Sequence, residues 1–241
     1  MNHCREEESR SAILLGCEAL EKLHAAHVAV FGVGGVGGHV CEALARAGVG
    51  RLTLVDRDTV SRSNINRQII ALHSTLGRPK VEVMKERILD INPDCLVTAI
   101  EAFYLPETAD EIPLENFDYI VDAVDTVAAK IELAVRAAAR GIPVISAMGA
   151  GNKLSAQGFV VTDLFRTSGC PLARVMRREL KARGVARLKV VYSPEPATPP
   201  HPDAPVHGEP GSRMPTGSLP FVPGVAGLLL AGEVIRDLSN V

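Results

Sequence analysis

A glycine-rich turn near the amino terminus restricts the fold of this chain more than any other feature. Residues 31–40 read FGVGGVGGHV, so Gly32, Gly34 and Gly37 follow the spacing G-x-G-x-x-G directly after the apolar run His27–Phe31. Such glycines permit a tight bend, let backbone N–H groups approach a phosphate, and let a helix pack closely against the preceding strand. The turn therefore predicts a strand–turn–helix unit that binds a nucleotide.

The order of apolar runs along the chain predicts an α/β fold. Strand-like runs at 27–31, 51–55, 96–100, 119–121 and 143–146 alternate with helix-like segments at 36–47, 80–91 and 127–140. This alternation is typical of a Rossmann-like, doubly wound and largely parallel sheet. We also expect a leading helix over 11–24, strands at 158–162 and 188–192 around a helix at 171–183, and a last helix at 224–238.

The length of 241 residues suits a single domain. We divide it into an N-terminal arm and helix (1–26), a nucleotide-binding core (27–165) and a C-terminal extension (166–241) with a basic helix, a Pro-rich loop and a final helix. Residues 193–223 hold ten of the sixteen prolines, which excludes a regular helix or a central strand there. That segment is either a mobile loop covering a site or an insertion without catalytic importance.

Several features of the sequence indicate a cytoplasmic enzyme. The charged N-terminal residues lack the apolar core of a signal peptide, and the apolar run at 225–230 is too short to cross a bilayer. The five cysteines include no C-x-x-C pair, which argues against a zinc knuckle and fits a reducing compartment. The net charge of −2 gives no overall sign of a nucleic-acid partner, although a local patch is compatible with it.

A carboxylate at the end of the second strand supports a nucleotide site without identifying the nucleotide. Asp56 lies nineteen residues after Gly37, where it can accept hydrogen bonds from ribose hydroxyls. This arrangement is equally suitable for binding NAD and for binding ATP.

The next residues favour ATP. Residues 56–68 read DRDTVSRSNINRQ, which adds Asp58 and Arg67 among several amides, and Lys80 begins the next helix. Two cations near the phosphates have little use in hydride transfer, but they would stabilise the charge that develops when a carboxylate attacks the α-phosphate of a nucleoside triphosphate. Asp122 and Asp125 follow the fourth strand and offer oxygen ligands for Mg²⁺.

Together these motifs resemble the ThiF/MoeB family of ubiquitin-activating-type adenylating enzymes over about residues 10–165. The resemblance implies that ATP contacts Gly35, Asp56, Asn64, Arg67 and Lys80, and that Asp125 holds Mg²⁺. Within the same motifs, the remaining candidate cofactor-binding residues are Gly32, Gly34, Gly37, Asp58, Ser63, Gln68 and Asp122. The family forms homodimers, and Arg10 resembles an arginine supplied to the ATP of the partner subunit. The candidate catalytic residues are therefore Arg67, Lys80, Asp125 and Arg10.

The rest of the chain resembles one group of that family, the tRNA threonylcarbamoyladenosine dehydratases. The similarity includes the segments TSGCPLARVMRREL, VVYSPEP and GSLPFVPGVAGLLLA. It implies ATP-dependent cyclisation of threonylcarbamoyladenosine beside the anticodon, in which the carboxylate is adenylated and an internal nucleophile displaces AMP. No enzyme cysteine is needed, so Cys170 is best read as a small residue at a helix start. Tyr192, Ser193 and Glu195 match the pattern without an assigned role.

A basic segment gives independent support for an RNA partner. Residues 174–189 contain seven Lys and Arg residues and one acidic residue, Glu179. Clusters of this kind supply the salt-dependent part of RNA affinity, whereas the simpler alternative is a solvated helix face.

Two other functions remain open at this point. One is an adenylyltransferase that activates the C-terminus of a small ubiquitin-like or sulfur-carrier protein. The other is an NAD-dependent enzyme or a nucleotide-binding regulator. A separate sulfur- or electron-transfer protein is a further candidate partner.

Overall fold

The structure, a computed structural model, describes residues 5–204 and 216–241. Its centre is a seven-stranded sheet in the order β3-β2-β1-β4-β5-β7-β6. Every neighbouring pair is parallel except β6 and β7, which confirms the predicted largely parallel α/β sheet. The strands are β1 His27–Phe31, β2 Arg51–Val55, β3 Leu96–Ile100, β4 Tyr119–Asp122, β5 Val144–Ala147, β6 Val160–Asp163 and β7 Lys189–Tyr192.

Helices cover both faces of this sheet. They are α1 Ser9–Leu15, α2 Cys17–Ala25, α3 Gly37–Arg46, α4 Lys80–Ile91, α5 Val127–Arg140, α6 Pro171–Ala182 and α7 Val222–Ser239. Side chains alternate along β1, so that Val28 and Val30 pack with α2, α3, α4 and α7, while Ala29 and Phe31 pack with α5 on the opposite face. A further cluster joins α5 to α6. The sheet is therefore doubly wound, as predicted.

The predicted single helix over 11–24 is wrong in one respect, because the structure has two helices there. Gly16 separates α1 from α2 with φ of +80°, a backbone conformation that glycine adopts without the steric cost of a Cβ atom. The apolar spacing continues across the break, which is why the sequence pattern resembles one helix. Ile13 and Leu14 of α1 are 75% and 84% exposed.

The strand order determines where a ligand can bind. From β1 the chain winds outward to β2 and β3, and then it returns to β4 and β5 on the other side. Crevices in such sheets open at the carboxyl ends of the strands where the winding reverses, here between β1 and β4. The register places Phe31 beside Val55 and Asp122, and Asp122 beside Ser146, so these strand ends meet at one edge.

The glycines of the first turn are required by close backbone contacts at that edge. Gly32 has φ of +87°, and a Cβ atom on it would lie 2.7 Å from the carbonyl oxygen of Ala123. A Cβ atom on Gly37 would lie 1.8 Å from the carbonyl oxygen of Gly32. Gly37 therefore allows α3 to begin directly against the turn, as expected for its place in the motif.

The C-terminal extension contributes to the same sheet, because β7 pairs with β5 and α7 packs against α3. The Pro-rich segment 193–223 forms no strand within its described residues before α7 begins at Val222. The predicted mobility of this loop concerns in part residues 205–215, which lie outside the described residues. The division into 1–26, 27–165 and 166–241 stays a prediction.

Candidate functional site

A cavity of about 490 Å³ opens at the carboxyl edge of the sheet. This volume is within the usual range for a small-molecule site. Its walls come from the glycine turn, the ends of β1, β2 and β4, the 102–105 and 147–151 loops, and Thr216 and Ser218. Of the predicted nucleotide-binding and catalytic residues, the wall contains Gly32, Gly34, Gly35, Asp56, Asp58, Asn64, Arg67, Gln68, Lys80 and Asp125.

Asp56 is held rigidly in this wall by two backbone donors. Its Oδ2 accepts a hydrogen bond from Val33 N at 2.7 Å, and its Oδ1 accepts one from Asp58 N at 2.8 Å. A carboxylate has about four acceptor positions, so both oxygens retain capacity for ligand hydroxyl groups. Asp56 can therefore bind a ribose while it supports the glycine turn.

Arg67 is positioned by the segment that precedes it. A short 3-10 turn at Arg62–Asn64 places the carbonyl of Ser63 and the side chain of Asn66 where Arg67 Nη1 donates to both, at 2.8 and 2.9 Å. Ser63 itself is not part of the described cavity wall and acts here through its backbone. The next residue, Gln68, is buried in the wall, and its Oε1 has no hydrogen-bond partner among the described residues.

Lys80 faces the same cavity from the start of α4. It is only 5% exposed, and its Nζ donates to Oδ2 of Asp58 at 2.7 Å. The carboxylate of Asp58 is 56% exposed, so the pair lies at the boundary between the protein and the open cavity. Lys80 and Arg67 place two cationic groups in this part of the cavity, where they can bind phosphates.

The two carboxylates after β4 have different environments. Asp125 is exposed and forms part of the cavity wall. Asp122 is 1% exposed and lies behind the wall, where it binds Lys130 and Ser146. The expectation that both face the nucleotide is therefore corrected for Asp122, because its side chain points into the protein.

Arg10 lies on α1 and is exposed, but it is not part of the described cavity wall. Within one copy of the chain it is therefore outside the site. Its expected role in a partner subunit stays a prediction.

Sequence reasoning missed Asn152, which connects both ends of the Pro-rich segment to the cavity. Its backbone and side chain exchange hydrogen bonds with Gly217 at 2.8 and 2.7 Å, and its carbonyl accepts from Thr198 N at 2.7 Å. Asn66 adds a bond from its Nδ2 to the carbonyl of Ser218 at 3.0 Å. These contacts hold Thr216 and Ser218 in the cavity wall. A positive φ of 56° at Asn152 is the local property that a sequence pattern does not show.

Four residues have no chemical role assigned from the sequence, and in the structure each of them packs within the protein or bonds to its backbone: Cys170, Tyr192, Ser193 and Glu195. Cys170 is 4% exposed, and its Sγ accepts a bond from Ala173 N at the start of α6. Tyr192 is buried at the end of β7, and Ser193 is fully buried. The carboxylate of Glu195 accepts bonds from Leu154 N and Ser155 N. Packing in the protein interior and hydrogen bonds that hold the loops therefore explain why these residues are present.

The basic segment does not form one patch. Lys189 binds Glu233 and Asp237, and Arg177 donates to the carbonyl of Thr167. Arg178 and Arg183 share Glu179. Three cations are exposed and form no ion pair with another described residue: Arg174, Lys181 and Arg187. The sum of charges in the sequence thus overstates the free positive charge.

Comparison with known proteins agrees with this geometry. Residues 8–241 match the ThiF family. The chain belongs to the ThiF family. This confirms the resemblance drawn from the glycine turn and the 56–68 segment. Among the described residues of this ThiF-family protein, no helix is long and apolar enough to span a membrane.

Several members of the family are similar to the chain over most of its length. The tRNA threonylcarbamoyladenosine dehydratase of Bacillus subtilis (strain 168) is 44% identical, and the match covers 95% of this chain and 93% of that protein. The molybdopterin-synthase adenylyltransferase of Escherichia coli (strain K12) is 35% identical over 70% of this chain and 67% of that protein. The crystal structure of E. coli tRNA N6-threonylcarbamoyladenosine dehydratase in complex with ATP has a TM-score of 0.87 and 33% identity, and covers 98% of this chain and 95% of that one.

Proposed function

We propose that this protein is an ATP-dependent tRNA threonylcarbamoyladenosine dehydratase that acts in the cytoplasm. Adenylation of the modification's carboxylate activates it, and an internal nucleophile then closes the ring as AMP leaves. The observation that carries this proposal is the cavity in which Asp56, Arg67, Lys80 and Asp125 converge. The end-to-end similarity to the B. subtilis dehydratase selects this reaction among those of the family.

The side chains divide the work of holding ATP. Asp56 accepts the ribose hydroxyls, and the N-terminal end of α3 with its glycine turn faces the phosphates. Arg67 and Lys80 stabilise the negative charge that grows as the substrate carboxylate attacks the α-phosphate and pyrophosphate leaves. Because the attacking group of the second step is part of the substrate, that step is effectively unimolecular.

The donor groups at Asp125 fit a magnesium ion bound together with ATP. In the described part of the chain, no three carboxylate, histidine or cysteine side chains cluster as a metal site of their own. Mg²⁺ commonly takes one or two protein carboxylates and completes its shell with phosphate oxygens and water. Asp125 is an exposed carboxylate on the cavity wall, so it supplies such a ligand. The ion would neutralise phosphate charge during the transfer.

Helix α6 provides a surface for the tRNA next to this cavity. Leu172 in its first turn lines the cavity. Arg174, Arg178 and Lys181 follow on one exposed face at helical spacing and extend roughly 10 Å from Arg174 to Lys181, although Arg178 is also paired with Glu179. A row of cations that begins at the nucleotide suits the phosphates of an RNA stem whose modified base reaches the cavity.

Helix α1 supports the proposal of a homodimer. Ile13 and Leu14 are largely exposed, and Arg10 lies three and four residues before them on the same face. We infer that a second copy covers these apolar side chains, and the contribution of its Arg10 to the cavity of the first copy stays a prediction. For the sulfur- or electron-transfer partner, no supporting surface stands out among the described residues, and this partner stays a prediction.

The experiment that tests the reaction is ATP–pyrophosphate exchange with purified protein. Exchange should depend on tRNA that carries threonylcarbamoyladenosine and should be absent with the same tRNA before modification. Exchange that responds instead to the C-terminus of a small ubiquitin-like protein would favour the adenylyltransferase alternative, which the similarity to molybdopterin-synthase adenylyltransferase keeps in view. Tighter binding of NAD than of Mg·ATP in calorimetry would contradict both.

A further inference from the structure

A buried ion pair lies at the wall that carries Asp125, with Lys130 lining the cavity and Asp122 behind it. Lys130 and Asp122 are each 1% exposed. Lys130 Nζ lies 3.1 Å from both carboxylate oxygens of Asp122, 2.7 Å from the carbonyl oxygen of Ala147 and 3.3 Å from Ser146 Oγ. Ser146 Oγ also donates to Asp122. The pair therefore joins the end of β4, the first turn of α5 and the end of β5.

A buried site in the first turn of a helix is energetically unfavourable for a lysine, so we look for a role that Lys130 performs there. Two charges removed from water lose hydration that their mutual attraction only partly replaces, and apolar side chains of similar size are often as stable. A cation in the first turn of a helix is also disfavoured by the helix dipole. The proposed chemistry leaves both residues without a direct part, so the reason for them lies in what they hold.

The ion pair anchors one side of the loop that contains Asp125. Residues 123–126 connect Asp122 to α5, and Val124 N donates to Asp122 Oδ1 at 3.3 Å. On its other side the loop packs against the glycine turn, since Ala123 N donates to the carbonyl of Phe31 at 2.8 Å. Asp125 is the residue of this loop that offers a carboxylate to the cavity.

We propose that Lys130 and Asp122 are positioning residues that fix the 123–126 loop so that Asp125 meets the magnesium ion of Mg·ATP. This inference rests on the proposed function, since it takes Mg·ATP as the ligand. It predicts that the pair controls the contribution of Mg²⁺ to nucleotide binding and leaves binding of metal-free ATP nearly unchanged.

The test is titration calorimetry of ATP on the full-length protein, in EDTA and over a range of Mg²⁺ concentrations. The isosteric neutral change Lys130→Met should raise the Mg²⁺ concentration needed for half-maximal enhancement by about 10–100-fold, the usual cost of losing a residue that orients a metal ligand. Tyr119→Phe is the matched control, because it removes a hydrogen bond from Tyr119 to Asp237 at the opposite end of the same strand. It should leave the Mg²⁺ response at the wild-type value.

A double-mutant cycle separates positioning from general damage. If Lys130 acts through Asp125, then Lys130→Met adds no further change in the Mg²⁺ response to the variant Asp125→Asn. Fully additive effects, or a wild-type Mg²⁺ response in Lys130→Met, would overturn the inference while the role of Asp125 stands. An unchanged Mg²⁺ response in Asp125→Asn alone would instead refute the proposed metal site.

If Lys130→Met does not fold, Ser146→Ala decides the question. It removes one hydrogen bond from each charge and leaves the ion pair intact. We expect a smaller shift of the Mg²⁺ response in the same direction, and a response identical to wild type would contradict the inference.

Discussion

The two ends of β4 carry similar residues in opposite arrangements. At the amino end, Tyr119 OH donates to Asp237 at 2.6 Å, and Lys189 binds Asp237 and Glu233. At the carboxyl end, Asp122 is bound by Lys130, but Asp125, Asp58 and Lys80 reach the cavity. Tyr119, Lys189 and Asp237 also line a cavity, of about 730 Å³, but their charged groups are paired with one another. At the carboxyl end Lys80 pairs with Asp58, whereas Arg67 and Asp125 form no ion pair with another described residue and are available to a ligand.

The largest difference between the two ends of β4 should be the loss of activity when charged residues of the cavity are replaced. Arg67→Ala and Asp125→Ala should each lower pyrophosphate exchange by about 10²–10³-fold, because the first removes a cation that stabilises the transition state and the second removes a ligand of the Mg²⁺ that would do so. Both side chains are on the surface of the cavity, so the thermal unfolding midpoint should change little. Near-normal exchange in both variants would refute the roles assigned to them.

The basic face of α6 can be tested by the salt dependence of tRNA binding. Replacement of Arg174, Arg178 and Lys181 by serine should reduce the slope of log affinity against log salt by about 0.7–0.9 for each phosphate that the protein no longer neutralises. ATP binding should not change. Arg51→Ser is the control, since Arg51 is an exposed cation at the amino end of β2. An equal reduction of the slope in Arg51→Ser would show that the cations of α6 contribute no more to tRNA binding than an exposed cation elsewhere on the protein.

A smaller effect is expected at the residue that connects the Pro-rich segment to the cavity. Asn152→Gly tolerates the positive φ at this position but removes the acceptor for Gly217 N. One hydrogen bond contributes about 0.5–1.5 kcal/mol, so KM for ATP or tRNA should rise up to about tenfold while the fold persists. Unchanged kinetics would show that Thr216 and Ser218 do not depend on this hydrogen bond.

The smallest effect on activity is expected at the amino end, where the change should appear in stability. Burial opposes ionisation of Asp237, but hydrogen bonds from Lys189 and Tyr119 outweigh it, so the pKa of Asp237 lies below its usual value. A lowered carboxylate pKa stabilises the folded state above the unfolded pKa of about 3.9, and this contribution disappears as the pH falls further. Chemical denaturation should therefore show that Asp237→Asn destabilises the protein at neutral pH and that the difference from wild type shrinks below about pH 4. A constant difference across this pH range would contradict the assigned role of Asp237.

The sequence predicts much of the site at the carboxyl end of β4, but it does not predict the cluster at the amino end. The alternation of strand-like and helix-like runs predicted the fold, and the glycine turn and the 56–68 segment predicted part of the cavity wall, because these patterns are local in the chain and their spacing has a steric meaning. The bond between Tyr119 and Asp237 spans 118 positions, and no local pattern indicates such a pair.

The errors of prediction have the same origin. Asp122 and Asp125 look equivalent in the sequence, and the difference appears only when Lys130 and Ser146 are brought beside Asp122. Similarly, the charges of α6 and β7 add up along the chain, although Lys189 turns toward α7. Sequence spacing identifies groups that share an edge of the sheet, but it does not show which of them neutralise one another.

The central claim, that this cavity activates a carboxylate by attaching AMP to it, has one direct test. Threonylcarbamoyladenosine-containing tRNA with a heavy-oxygen label in the carboxylate is incubated with the protein, Mg²⁺ and ATP, and the products are analysed by mass spectrometry. We expect a nucleoside lighter by one water and AMP that carries the label, because the carboxylate oxygen bonded to phosphorus leaves with AMP. Label in inorganic phosphate together with ADP, or a cyclised nucleoside formed without labelled AMP, would contradict the claim.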